Sequence, residues 1–232
     1  MGSQPRTAFN DVLSRALQSE GASEPAVQRL IAQTVKSLGI SGELLIDVGC
    51  GRGNLWPIMR PRFSRCIGVD VARYPGLPQD IDLCEAQLDS PIPLADGVAD
   101  LIVCVETIEH LENPRALMRD LTRLAKPGGW LIVTTPNQLS LLSLITLIVK
   151  QRFEYFQENN YPAHLTALLE VDLLRIAAEC GLMESTIRYS MSGRIPFTGK
   201  HYPRAISRVF PRALSDNILL AARKPAAISN LK

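Results

Sequence analysis

The chain has 232 residues, 46% hydrophobic and 21% charged, with a formal net charge of +2. This is ordinary globular usage with room for one large domain, and no whole-protein field points to nucleic acid. Its five cysteines, Cys50, Cys66, Cys84, Cys104 and Cys180, are odd in number and form no CxxC pair, which favours buried reduced thiols over a zinc site.

The opening stretch MGSQPRTAFND shows no apolar signal-peptide core, so a cytoplasmic location is expected. Helical spacing comes first, on Phe9, Val12, Leu13, Ala16 and Leu17, then on Val27, Leu30, Ile31, Val35 and Leu38, with Gly39 as a stop. ELLIDVG then reads as a strand buried on both faces, and RCIGVD as a second. IDLCEA is a weaker third strand and ADLIVCVE a strong fourth. In NPRALMRDLTRLAKPGG, Asn113 caps a helix, Pro114 suits its first turn, and Pro127, Gly128 and Gly129 end it. WLIVTTPN is a fifth strand. Residues 139–149, LSLLSLITLIV, are only 11 long, against roughly 20 for a membrane-spanning helix. Residues 167–180 place Leu169, Leu173, Ile176, Ala177 and Cys180 on one helical face, and MESTIRYSM and NILLAARK read as final strands. Such alternation predicts an open, mostly parallel α/β sheet. One domain is expected over residues 1–232, with a helical cap over residues 1–40 and an insertion or lid over about 138–166.

The stretch LLIDVGCGRGNL carries three glycines at alternate positions, Gly49, Gly51 and Gly53. A glycine-rich turn after the first strand lets a ligand touch backbone. Asp70 ends the second strand, 17 residues beyond Gly53, where an acid commonly grips ribose hydroxyls. A nicotinamide site wants G-x-G-x-x-G, yet its third glycine would fall at Asn54. Asp47, two residues before the first glycine, repels pyrophosphate and attracts an ammonium group. An amino-acid-bearing nucleoside fits better than a dinucleotide.

These residues resemble the class I S-adenosylmethionine (SAM) methyltransferases. LLIDVGCGRGNL is similar to their first motif, CIGVD to their ribose-binding strand end, and the likeness runs over roughly residues 44–182. The resemblance implies an α/β, Rossmann-like seven-stranded, mostly parallel sheet with helices on both faces, its last strand antiparallel. It also implies SAM held by backbone at Gly49, Cys50 and Gly51, ribose held by Asp70, and methionine contacts near Asp47 and Val105. Where relatives place an adenine-contacting Asp, this chain has Gln87 followed by Leu88. Either Gln87 bonds the adenine edge or Asp89 replaces it.

On the acceptor side the fourth strand delivers ETIEHL, with Glu106, Glu109 and His110 placed to share a face if the turn is helical. That set resembles the ubiquinone-pathway O-methyltransferases, and also the small-RNA terminal ribose methyltransferases, whose E-x-x-E-H works with a further His; His164 is a candidate fourth group. Two readings stay open. One is metal-free, with His110 and Glu106 as catalytic residues; the other has a divalent ion on the acids and the imidazole. The site assignment adopts no metal. His201 receives no role.

The insertion lacks the aromatic interleaving of a base-stacking surface, so RNA is not the expected partner. Residues 187–215 contain no Asp or Glu but carry Arg188, Arg194, Lys200, Arg204, Arg208 and Arg212. With the apolar insertion this suits a lipid-linked or phosphate-bearing acceptor, or peripheral contact with a membrane; a buried helix beside a solvated basic face is the plainer alternative. The expected activity is SAM-dependent methyl transfer to an oxygen of a small or lipid-linked acceptor. N- or C-methylation, metal-dependent ribose methylation and a catalytically silent SAM-binding subunit are the alternatives.

Overall fold

The computed structural model describes Gly21 and residues 23–227. The expected helix on Phe9 to Leu17 lies outside the described residues. The first described helix, α1 (Pro25–Ser37), buries Val27, Leu30, Ile31 and Val35 and stops before Gly39, which stands at φ 65°. There the left-handed backbone that glycine tolerates ends the helix.

Seven strands follow: β1 (Gly42–Val48), β2 (Phe63–Asp70), β3 (Ile81–Glu85), β4 (Ala99–Val105), β5 (Ala125–Pro136), β6 (Met183–Tyr189) and β7 (Asn217–Arg223). They form one sheet in the order β3-β2-β1-β4-β5-β7-β6. Pairings among the first five are parallel, and β7 runs antiparallel to both β5 and β6. Pleating sends successive residues to opposite faces. Leu44, Ile46 and Val48 join one apolar layer, with α3 (Pro114–Leu124) and α5 (Glu170–Glu179). Leu45, Leu101 and Val103 join the other, with α1 and the single turn α2 (Trp56–Met59). Each such Leu or Ile contributes roughly 1.5–3 kcal/mol by leaving water, which is why the strands read as apolar at consecutive positions.

Local corrections to the sequence reading have physical causes. The Asn113 side chain does cap α3, accepting from the Ala116 N–H at 3.0 Å. However, α3 ends at Leu124, and Pro127, Gly128 and Gly129 lie inside β5, opposite a register irregularity between Ala99 and Leu101. The bulge absorbs the residues that would otherwise break a strand. Helix α5 starts at Glu170, where the Asp172 carboxylate accepts the Leu169 N–H at 3.0 Å. The crossovers β2–β3 and β3–β4 contain no helix among the described residues.

Within residues 138–166, Ser140 caps α4 (Leu141–Lys150) by accepting the Ser143 N–H at 3.1 Å. The polar stripe of this helix faces inward. Ser143 and Thr146 are its buried positions, while Leu141, Leu144, Ile148 and Val149 are exposed. The Thr146 hydroxyl lies 3.0 Å from the Glu154 carboxylate, and the Ser143 hydroxyl accepts the Glu154 N–H at 3.3 Å. A short helix α6 (Arg204–Val209) precedes β7.

Candidate active site

Strand order reverses at β1, with β2 on one side and β4 on the other, and ligands of open α/β sheets bind beyond the strand ends at such a point. A cavity of about 390 Å³ opens there. Asp47, Gly49, Cys50, Gly51, Asp70, Leu88, Val105, Glu106 and His110 all line it. Gln87 does not: it is exposed outside the cavity, and Asp89 takes a place in the wall. Leu88 is half-buried in the loop after β3, and the exposed Asp89, not Gln87, borders the cavity beside it.

At one end the walls are backbone. Gly49 and Gly51 stand at φ 73° and 50°. A Cβ on Gly49 would strike the Thr107 side chain, and one on Gly51 the Gly21 carbonyl. The turn therefore requires glycine twice over, for its left-handed backbone and for close approach. Asp70 accepts the Gly51 N–H at 2.8 Å and the Val71 N–H at 2.7 Å. Burial raises its pKa, and the two N–H donors oppose that rise. A carboxylate has about four lone-pair sites, so two remain for hydroxyls. Asp47 is almost wholly buried, with one oxygen lacking a hydrogen-bond partner among the described residues. Burial first, then the neighbouring Asp70, pushes its pKa up to about 7. Such a group calls for a proton or a cation. The donor-rich glycine turn, the half-satisfied Asp70 and the orphaned Asp47 together fit an amino-acid-bearing nucleoside.

At the other end the walls are side chains. Glu106 leaves β4 in the left-handed region, φ 46°, with its N–H held 3.0 Å from the Thr134 hydroxyl. Its carboxyl accepts from the Asn217 amide at 2.6 Å. Burial, then Glu109 and Glu24, raise its pKa to about 8. The turn Ile108–His110 is a 3-10 helix that starts after Glu106. Glu106 thus leaves the face that Glu109 and His110 share, against the expectation from spacing. Glu109 is fully buried and neither carboxylate oxygen has a well-formed hydrogen bond among the described residues; burial raises its pKa to about 8, against its own backbone N–H and the Thr135 hydroxyl. The Glu109 carbonyl accepts the Leu165 and Thr166 N–H groups, each at 2.9 Å, and fastens the end of the insertion to the turn.

His110 Nδ1 lies 2.8 Å from the Ala163 carbonyl. A carbonyl only accepts, so Nδ1 carries the proton. Burial lowers the His110 pKa, against hydrogen bonds to the Ala163 and Glu106 carbonyls. The ring of His164 meets that of His110 edge-on at 4.7 Å. Burial, then His110, lowers the His164 pKa to about 4 against a hydrogen bond to the Tyr155 backbone, and its Nδ1 has no partner among the described residues. Atoms of Glu109, His110 and His164 capable of metal ligation lie within 4.8 Å of one another. Tyr155, Asn160 and Ala163 complete this end of the cavity. Sequence reasoning missed these three and Asn217, because the loop that carries the first three has no motif and Asn217 is one polar residue before an apolar strand. Residues 139–149 supply no lining residue.

An open sheet of this order, with a glycine turn and an acid at adjacent strand ends, defines a Rossmann-like methyltransferase. The chain belongs to the methyltransferase-domain family, which its residues 22–183 match. It is similar to the ubiquinone biosynthesis O-methyltransferase of Aeromonas salmonicida, 27% identical over 188 residues, covering 75% of this chain and 79% of that one. The ubiquinone biosynthesis O-methyltransferase of Vibrio cholerae is 26% identical over 207 residues, 84% of this chain and 80% of that one. Among solved structures, a SAM-dependent methyltransferase from Archaeoglobus fulgidus superposes with a TM-score of 0.61 at 17% identity, covering 85% and 94% of the two chains. The 1,6-didemethyltoxoflavin-N1-methyltransferase of Burkholderia thailandensis, solved with S-adenosylhomocysteine, gives 0.62 at 14% identity, covering 97% and 92%. The protein is a SAM-dependent methyltransferase.

Proposed function

We propose that this enzyme methylates an oxygen atom of a small or lipid-linked acceptor, with His110 as the general base. The observation that carries the proposal is the place of His110 in the cavity wall, with Nδ1 anchored on the Ala163 carbonyl and the ring kept neutral by burial. The names of the ubiquinone-pathway relatives support oxygen as the target. SAM supplies a methyl group on a sulfonium, which is already a strong electrophile. The backbone of Gly49, Cys50 and Gly51 and the carboxylate of Asp70 would hold its nucleoside, with Leu88 and Asp89 at the base. Asp47 and Val105 would meet its amino-acid part, where an ammonium gives the Asp47 carboxylate its missing charge. His110 Nε2 would take the acceptor's hydroxyl proton, a step worth about 10²–10⁴ in rate. Glu106, protonated near neutral pH, would donate a hydrogen bond at the reacting space.

The experiment is labelled-methyl transfer from SAM to matched phenols and anilines, with parent and His110→Gln. Loss confined to phenols supports the reading. Faster methylation of anilines, indifferent to His110, would replace it with N-methylation.

A second reading is favoured by the unpartnered Glu109 oxygens and His164 Nδ1. Glu109, His110 and His164 fit a divalent ion, which would lower the pKa of an acceptor hydroxyl. Turnover abolished by a chelator and restored by Mg²⁺ or Mn²⁺ supports it; full turnover in excess chelator removes it.

A further inference from the structure

Strand β7 is apolar over residues 218–222, and all of these positions are buried. Asn217, which opens the strand, is as buried as they are, at 2% exposure. An asparagine placed there for stability would bond through both ends of its amide. This one directs Nδ2 to the Glu106 carboxyl, at 2.6 Å, and leaves Oδ1 without a partner among the described residues. The contact with Glu106, rather than the strand, accounts for the residue. Glu106 is itself costly to hold. Its backbone stands in the left-handed region, φ 46°, which a side chain disfavours. The charges that face its carboxyl, Glu109 and Glu24, are acids, and neutral donors hold it, the Asn217 amide and the Glu24 N–H. Strain and unbalanced charge that a fold retains gather at functional sites, and Glu106 borders the cavity. The support behind Asn217 is firm. Its carbonyl accepts the Ser190 N–H at 3.1 Å, and it stands opposite Pro136, a cavity residue, in the β5–β7 ladder. One residue earlier, the Asp216 carboxylate accepts the Arg194 N–H at 3.0 Å and Nε–H at 3.2 Å, and the Asp216 carbonyl accepts the Asn137 N–H at 2.7 Å. The amide therefore extends from a fixed backbone.

We propose that Asn217 is a positioning residue: its amide holds the Glu106 carboxyl at the reacting space, so that turnover depends on Asn217 through Glu106. The inference rests on the reading of Glu106 as a hydrogen-bonding group at that space, and it holds whichever atom is methylated. An amide suits the task because it donates without bringing charge. A lysine or arginine in its place would draw the carboxyl into an ion pair and away from the acceptor.

The test is a double-mutant cycle on labelled-methyl transfer from SAM, with the phenol or aniline that the parent turns over fastest. Asn217→Ser should lower kcat about tenfold or more, while SAM affinity by calorimetry holds. In a Glu106→Ala background the same change should cost less than about twofold, because the group it acts on is gone. Asn217→Leu, which fills the volume, should match Asn217→Ser in turnover, and thermal melts read any loss of stability separately. In a crystal structure of Asn217→Ser with S-adenosylhomocysteine, the Glu106 carboxyl should leave its place at the cavity wall while the glycine turn keeps its own. Three results overturn the inference while the reading of Glu106 stands: parent-like turnover in Asn217→Ser, an equal loss in both backgrounds, or a Glu106 carboxyl that does not move. Parent-like turnover in Glu106→Ala removes Glu106 from the reaction, and the reading and the inference then fall together.

Discussion

Asp70, the last residue of β2, and Glu109, just beyond β4, are both buried carboxyls at the ends of strands that flank β1, yet they are treated in opposite ways. Asp70 holds two backbone N–H groups at 2.8 and 2.7 Å, and these work against the rise that burial imposes on its pKa. Neither Glu109 oxygen has a well-formed hydrogen bond among the described residues; its own backbone N–H and the Thr135 hydroxyl offset burial only in part, and its pKa climbs to about 8. A buried carboxylate without donors is costly, so the two ends of the cavity are finished to different degrees. The nucleoside end is complete in backbone and waits only for hydroxyls and an ammonium group. The acceptor end stores unmet demand, which a proton, an ion or a polar substrate must meet.

The largest expected effect lies at the unfinished end. His110→Ala should lower turnover of a hydroxyl acceptor by about 10²–10⁴-fold while SAM affinity, measured by calorimetry, changes little. A matching loss of SAM affinity would erase the division between the two ends. Chelation sharpens it further: an inactive chelated enzyme puts an ion among Glu109, His110 and His164, and an active one leaves His110 alone as the base.

The next effect tests the demand at Asp47. Its pKa is about 7 in the ligand-free protein against an ordinary 3.8. The native state therefore binds more protons than the unfolded chain between those values, and stability falls as pH rises from about 4 to 7. The full shift corresponds to on the order of 4 kcal/mol. Glu106 and Glu109 push in the same direction, so the comparison must be made with Asp47→Asn. That variant should flatten the ligand-free slope of melting temperature against pH. SAM should flatten it in the parent, because an ammonium keeps Asp47 ionised. A slope untouched by either change would mean that Asp47 does not meet the ammonium.

The two ends also differ in how far the sequence discloses them. Local rules build the nucleoside end. Alternate glycines need left-handed backbone, and an acid at the close of the next strand is one register step away, so LLIDVGCGRGNL and CIGVD reveal both. Of the two adenine candidates, Gln87 and Asp89, only Asp89 borders the cavity, a choice that the sequence of the loop after β3 does not disclose. The acceptor end is assembled from distant partners. Asn217 reaches Glu106 across 111 positions, and Ala163 holds His110 across 53. No motif records such a pairing. Spacing placed Glu106 with Glu109 and His110 on an assumed helical turn, whereas the left-handed backbone at Glu106 takes it elsewhere. The apolar run of residues 139–149 was legible, but not that Ser143 and Thr146 within it turn inward, because periodicity defines a face without saying which way it turns.

The smallest effect returns to Asp70. Replacing it by Ala removes the acceptor of the Gly51 and Val71 N–H groups as well as the proposed ribose ligand, so the glycine turn loses its brace and the ligand its grip. Charge-assisted bonds of this kind are worth roughly 1.5–3 kcal/mol, about tenfold or more in SAM affinity. Asp70→Asn separates the two contributions. Its carbonyl oxygen can still accept one of the two N–H groups and a hydroxyl, while the charge is gone. If Asp70 serves the ribose, Asn should retain most of the melting temperature but lose affinity, and S-adenosylhomocysteine should suffer as much as SAM because both carry the same ribose. If Asp70 only braces the turn, Ala should lower the melting temperature while the affinity of the folded fraction survives. Calorimetry and thermal melts on the two variants decide between these, and unchanged affinity in both would remove Asp70 from the nucleoside site.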